Sequence, residues 1–279
     1  MHPIFFELGG LSIRWYGVMA AIGFLLASFV VNAWRRHAGM TQDQAMSLML
    51  VGIVAGIVGA RLFYVIQFFP QFRGNWLAVF RVDQGGLVFY GGFFLALASL
   101  IVYARRQKLD IWRVLDVIAP ALAIGHAAGR IGCFLNGCCY GKPTEAVFGV
   151  HYPAGSEVVR RYGELAVHPV QLYEVAANLA IFALMLFLLK RGRRGVPTGA
   201  YVLLYGIVRF GDEFFRGDHR QFVSGLTPAQ VIGLFMVPLG IALLVYFQRQ
   251  KSTAPAAAAE STNHESAPAG GKRKCRKKH

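Results

Sequence analysis

The sequence predicts an all-α polytopic membrane protein, and three observations carry that fold class. Apolar runs of about 20 residues recur along the chain, long enough to cross a hydrocarbon core. Hydrophobic residues make up 55% of the 279 and charged residues only 15%. Lys and Arg gather at the ends of the apolar runs, so the net charge of +15 reads as positive-inside topology plus a basic tail, with no nucleic-acid partner. About seven transmembrane helices, a small extracytoplasmic head loop and an N-terminus outside are expected. Four cysteines make no secreted disulfide framework: Cys133, Cys138 and Cys139 are bunched, and Cys275 stands alone in the tail. The first apolar run is followed, not preceded, by Arg35-Arg36, the mark of an uncleaved anchor.

Residues 1–14, with Pro3-Ile4-Phe5-Phe6 and Gly9-Gly10, are too short to span and too apolar for a solvated tail, so they read as an interfacial arm. The spanning region covers 15–247. Its first span runs from about Trp15 to Trp34, with aromatics at both ends. The second, about Ala45 to Phe69, carries the small residues Gly52, Gly56, Gly59 and Ala60, a helix-contact face, and has Arg61 well inside it. Residues 70–86 form a connector. The third span, about Leu87 to Ala104, opens with Tyr90-Gly91-Gly92, and the fourth, about Val114 to Leu135, contains Pro120. Residues 136–168 are the head loop. Spans five to seven are placed at about Val170 to Leu189, Thr198 to Phe215 and Pro228 to Phe247. Residues 248–279, rich in Ala, Pro and Ser and then in Lys and Arg, read as a disordered cytoplasmic tail. Basic clusters follow spans one, three, five and seven, which puts them all on the cytoplasmic side and the end of span four on the other.

Two constellations point to chemistry. The run from Gly125 to Gly141 begins inside span four and holds His126, Arg130, Asn136 and three cysteines. An Arg at such depth costs on the order of 2.5–3.5 kcal/mol, so it is expected to meet a partner or an anionic ligand. Glycines at 125, 129 and 132 leave a bare face for another helix or a headgroup. In span six, Tyr205, Arg209, Asp212, Glu213 and Arg216 recur at helical spacing, with Arg209 and Glu213 an i,i+4 pair. Asp212 and Arg216 lie near the outer end, where plain solvation is the alternative reading. Arg61, Arg130 and Arg209 together suggest an anion site, since guanidinium presents a fork of donors suited to phosphate and keeps its charge when buried. The phosphate abundant in a bilayer is the phospholipid headgroup.

The cysteines admit four readings: a zinc site, for which C-x4-C-C with His126 or His151 is no standard spacing, a disulfide, a reactive thiol near Arg130, or plain packing. His168, ahead of Pro169 at the start of span five, is a base or an interface residue.

Several stretches, in order, resemble the prolipoprotein diacylglyceryl transferases: Arg14-Trp15-Tyr16-Gly17, Gly85-Gly86-Leu87-Val88-Phe89-Tyr90-Gly91-Gly92, Gly129-Arg130-Ile131-Gly132-Cys133-Phe134-Leu135-Asn136-Gly137, His168-Pro169 with Gln171-Leu172-Tyr173-Glu174, and Tyr205-Gly206 followed by Arg209 and Glu213-Phe214-Phe215-Arg216. The resemblance covers residues 1 to about 247. It implies a multi-pass enzyme of the bacterial inner membrane, facing outward, that moves the diacylglyceryl group of phosphatidylglycerol onto the lipobox cysteine of a prolipoprotein signal peptide. The resemblance implies no metal and no organic cofactor, and by the motif match Arg130 binds phosphatidylglycerol. Arg130, Arg209, Tyr90 and Glu213 are the expected catalytic residues, and Tyr16, Arg61, Asn136, Gly141 and Tyr205 join Arg130 as substrate-binding residues. The chain departs from the resembling pattern in carrying Tyr90 for His, Cys133 for Asn and Cys138 for a carboxylate. A phenol with a pKa of about 10 is a poorer base than imidazole, so His126 and His168 stay open as alternatives. The competing functions are a phospholipid or anion transporter, which would show internal repeats or paired broken helices, and a membrane thiol-redox or metal protein built on the cysteines.

Overall fold

The computed structural model describes residues 4–8, 11–80, 86–218 and 225–250. Pro3, Gly9-Gly10, Gln84-Gly85, Cys275 and the whole 251–279 part of the expected tail lie outside the described residues. The arm contains a hairpin, in which β1 (Ile4–Leu8) and β2 (Leu11–Arg14) pair antiparallel, with Phe6 opposite Ile13. Phe5 meets Trp15 edge-on at 4.6 Å, which pins the hairpin to the first long helix.

That helix is α1 (Trp15–Trp34), and α2 (Gln42–Gln67), α3 (Phe89–Arg106), α4 (Ile111–Asn136), α5 (Glu157–Tyr162), α6 (Val170–Lys190), α7 (Val196–Asp212) and α8 (Pro228–Arg249) follow. Local chemistry explains the starts. Thr41 and Gln44 form a reciprocal capping box at α2, Thr227 and Gln230 do so at α8, and the Asp110 carboxylate accepts from the Trp112 and Arg113 N–H groups at α4. Among the described residues, five helices are long and apolar enough to cross a membrane: α1 with its extension to Ala38, α2, α4, α6 and α8. The protein is therefore a polytopic membrane protein. Helix α7, at 17 residues, is about 25 Å long and carries Arg209 and Asp212. Helix α3 closes on Arg105-Arg106.

The expected sixth span overran. Helix α7 ends at Asp212, and the chain turns through 213–215 so that Lys142 N–H donates to the Phe215 carbonyl and Gly217 N–H to Tyr140. Arg216 is thereby removed from the helical face expected for it and pairs with Asp218 instead, its Nε at 3.0 Å from Oδ1. Residues between α4 and α6 fold around a small core of Tyr140, Tyr152, Val158 and Val167.

Helix α4 is the hub, packing along α1, α6 and α7, while α8 lies on α7. Helices α2 and α3 form a hairpin that packs extensively on itself and only lightly on α1 and α4. Their seam is glycine on glycine: a Cβ at Gly91 would sit 2.5 Å from the Gly59 carbonyl oxygen, and one at Gly92 2.7 Å from that of Gly56. Such close backbone approach is what small residues give membrane helices.

One end of the bundle collects the basic segments. Val31, Ala38, Met40, Leu48, Ala104 and Val114 share a core there. Arg194 reaches Asp110 at 2.6 Å, and Trp112 meets Phe247 at 4.8 Å, which brings the α6–α7 turn and the end of α8 to the same place. Asp116, fully buried in α4, then accepts from Gly195 N–H (2.7 Å), Thr198 N–H (3.0 Å) and Thr198 Oγ1–H (2.6 Å). This carboxylate caps the N-terminus of α7 from a neighbouring helix and sets the register of the two helices, which run in the same direction.

Candidate active site

The Asp116–Gly195 register decides what meets at the far end. His126 is ten residues beyond Asp116 and Tyr205 ten beyond Gly195, and their rings face each other at 5.2 Å. Arg130 and Arg209 are each fourteen residues beyond the same two anchors, about 21 Å along each axis at 1.5 Å per residue. Two helices started in register thus deliver two arginines at one height.

Each arginine meets a carboxylate. Arg130 Nε lies 2.6 Å from Glu174 Oε2, with both side chains buried, and the Nε–H is not aimed along that line, so the contact is an ion pair rather than an aligned hydrogen bond. Glu174 enters from α6 on a buried polar face with Gln171 and Asn178, and Asn178 Nδ2 donates to the Glu174 carbonyl at 2.8 Å. Arg209 Nη1 donates to Glu213 Oε2 at 2.7 Å, also buried. The expected i,i+4 pair is therefore present, with Glu213 just past the helix end. His126 Nε2 stands 4.0 Å from Glu174 Oε2. Tyr205 stacks on Tyr201, and Tyr90, half-exposed on α3, is within electrostatic reach of Tyr205. Asp212 is not simply solvated: its Oδ2 is buried without a hydrogen-bond partner among the described residues.

Arg61, expected as a third anion-binding cation, meets backbone carbonyls among the described residues. Its Nε donates to the Val79 carbonyl (2.8 Å), Nη1 to Gly86 (3.0 Å) and Nη2 to Ala78 (2.6 Å), and it lies over the rings of Tyr64 and Phe72. The guanidinium ties the connector to α2. Gly141 is a point of close backbone approach, where its N–H donates to the His168 carbonyl at 3.0 Å and a Cβ would collide with His168. His168 Nδ1 is 3.1 Å from the Tyr173 hydroxyl and its ring packs on Phe215. Of the bare glycine face, Gly125 and Gly132 pack on Gly23 and Met19 of α1, while nothing lies within 4 Å of a Cβ at Gly129.

The end of α4 explains the cysteines. Gly137 takes the left-handed conformation (φ 73°, ψ 25°), with its N–H on the Phe134 carbonyl and the Cys138 N–H on that of Cys133. This double closure folds the residue after the glycine back over the last helical turn, which sets Cys138 against Cys133. Cys139 also has positive φ (60°), a conformation that costs a non-glycine residue roughly 1–2 kcal/mol. The three Sγ atoms lie within 4.8 Å of one another. Tyr16 and Arg130 are in electrostatic reach of them, and Asn136 lies against Cys138. Gln171 Nε2 donates to the Cys138 carbonyl (2.7 Å) and to the Tyr152 hydroxyl (3.1 Å). Burial pushes Tyr152 up to about 12 against that bond, so its phenol stays protonated. Beyond Glu213 a cavity of about 400 Å³ opens between Lys142, Arg216 and Gln230.

Sequence reasoning left Glu174 and Asp116 out of its candidate residues. An unpaired Arg130 in an apolar helix demands a carboxylate somewhere, and Glu174 is the acid nearest the start of span five. Asp116, a charge just inside span four, carries the same kind of signal.

The sequence profile described as prolipoprotein diacylglyceryl transferase matches residues 3–246. A phosphatidylglycerol–prolipoprotein diacylglyceryl transferase of Pseudoalteromonas translucida is 35% identical over 258 residues, 90% of this chain and 94% of the relative. Proteins of the same name from Clostridium tetani (35%; 86% and 96% covered) and Geobacter sulfurreducens (34%; 90% and 97%) are similarly close. With the ordered motifs and the site they converge on, these matches establish that the chain belongs to the prolipoprotein diacylglyceryl transferase family.

Proposed function

We propose that this membrane protein transfers the diacylglyceryl group of phosphatidylglycerol to the lipobox cysteine of prolipoproteins, forming a thioether and releasing glycerol phosphate. The observation that carries the reading is the pairing of Arg130 with Glu174 and of Arg209 with Glu213 at one height inside apolar helices. The carboxylates partner and position two guanidiniums in a medium that would otherwise reject them. A lipid phosphate offers the same kind of acceptor oxygens, so it can bond the same guanidinium donors. Arg130 holds that phosphate, and Arg209 stabilises the charge that grows on it as the glycerol carbon passes to sulfur. Tyr16, Asn136, Gly141 and Tyr205 frame the substrate. Tyr90 and His126 border it as the groups able to exchange a proton, while Arg61 holds the hairpin.

In this reading α3 and α7 also cross the bilayer, making seven spans with the N-terminus outside. Support comes from the basic segments, which share one end of the bundle while the site lies at the other. The site then faces outward from a bacterial inner membrane, capped by the head loop 136–168, and the basic tail 248–279 is cytoplasmic. The test is incubation of membranes carrying the chain with glycerol-labelled phosphatidylglycerol and a lipobox peptide. A thioether-linked diacylglyceryl peptide is expected, and its absence, or full activity in Arg130→Ala, would overturn the reading.

A further inference from the structure

The transfer needs the acceptor sulfur as a thiolate, and the paired arginines address only the phosphate. Beside them stand three thiols that the arginine chemistry does not use. Cys133 is buried in the last turn of α4, and the Gly137 turn and the positive φ of Cys139 bring the other two onto it. A strained cysteine that completes a three-sulfur cluster is more than packing requires, since a packing residue gains nothing from that backbone conformation.

Three sulfurs bound to one zinc at about 2.3 Å in a tetrahedron stand about 3.8 Å apart. The observed separations, all within 4.8 Å, need only small side-chain rotations to reach that. A disulfide, with its bond of about 2.05 Å, needs a larger approach and leaves the third thiol over. Three thiolates on a divalent cation keep one negative charge, and Arg130 and Arg216 are both within electrostatic reach of Cys139 to balance it. The spacing C-x4-C-C looks non-standard because zinc motifs are usually read on linear turns. Here the helix-terminating turn makes the first and second ligands neighbours.

We propose that Cys133, Cys138 and Cys139 bind one thiophilic divalent cation such as Zn²⁺, leaving a fourth position that the acceptor cysteine of the substrate fills. The proposal rests on the transferase reading for its role. A thiol that coordinates such a cation loses its proton, here to water. The bound thiolate then attacks the glycerol carbon of the phosphatidylglycerol held at Arg130. The S–C bond forms, the C–O bond to phosphate breaks, and glycerol phosphate leaves with the electron pair. The thioether, a weaker ligand than a thiolate, dissociates and frees the fourth position.

The test begins with metal analysis of the full chain purified in mild detergent without chelator, where about one Zn²⁺ per chain is expected. Co²⁺ added to the chelated protein should give a sulfur-to-metal charge-transfer band. Cys138→Ser and Cys139→Ser, both in the turn beyond α4, should each weaken metal binding by about 10-fold or more, with thermal unfolding checking that they fold. No retained metal together with no Co²⁺ band overturns the site, as does a disulfide joining two of the three cysteines or undiminished binding in both variants. Diacylglyceryl transfer to the lipobox peptide should fall at least about 10-fold on chelation and return with Zn²⁺. Transfer indifferent to the metal overturns the acceptor role. Metal bound with no transfer in any state would instead fail the transferase reading and leave the site standing.

Discussion

The α2–α3 hairpin and the α4–α6–α7 wedge each bury arginine in apolar helices, and they give its donors different acceptors. In the hairpin, Arg61 is shared among three backbone carbonyls of the connector. Those acceptors are part of the chain itself, so no ligand can replace them without undoing the fold. In the wedge, Arg130 and Arg209 face the side-chain carboxylates of Glu174 and Glu213, anions for which a phosphate can substitute. The two regions also differ in packing. The hairpin is held by bare glycine contacts, the wedge by the buried carboxylate of Asp116. An intramembrane arginine is therefore not by itself evidence for a ligand. What matters is whether its partner can be exchanged.

The sharpest way to break this contrast is Arg130→Gln. Transfer is expected to fall roughly 10²–10³-fold, and Glu174, left buried and unpaired, should cost about 3–5 kcal/mol of stability. The double change Arg130→Met with Glu174→Met should regain stability in thermal unfolding but not activity. Recovery of both would make the pair merely structural. Arg61→Met comes next, with an expected loss of about 2–4 kcal/mol from stranded carbonyls. Activity per folded molecule should fall far less than in the Arg130 variant, and an equal loss would return Arg61 to the phosphate site. Gly91→Ala forces a methyl group onto Phe63 and the Gly59 carbonyl and should cost about 1–3 kcal/mol, read as a lower unfolding temperature.

The smallest effect is expected at the far end, where Arg194 and Asp110 are each about a third exposed and the pair is worth under about 1 kcal/mol. Burial alone would raise the Asp110 pKa, but the Arg194 bond and the α4 N-terminal N–H groups overcome it and hold the carboxyl below its ordinary value. Its contribution is therefore complete above the ordinary carboxylate range and is lost as pH falls through the lowered value. Arg194→Ala should flatten that acid dependence of the unfolding temperature.

Much of the site was legible because charge inside an apolar run is conspicuous. Arg130 and the Arg209–Glu213 pair needed only composition and helical spacing. Arg216 was misplaced because periodicity says nothing about where a helix yields to a loop, and α7 stops at Asp212 as its next residues pair with the head. The bonds of Arg61 to the Val79, Gly86 and Ala78 carbonyls were not legible, since no residue name advertises a carbonyl partner. The cysteine cluster could have been seen: glycine just past an apolar helix announces the turn that folds Cys138 onto Cys133.

By itself the sequence determined the membrane class, the long helices and the identity of the buried cations, since these depend on hydropathy and local spacing. Tertiary structure alone decided what those cations face. Asp116 capping α7 aligns His126 with Tyr205 and Arg130 with Arg209, and α6 returns Glu174 to Arg130. Those pairings join residues far apart in the chain. Their reason is the energy of a buried charge without a partner, which only a three-dimensional arrangement can relieve.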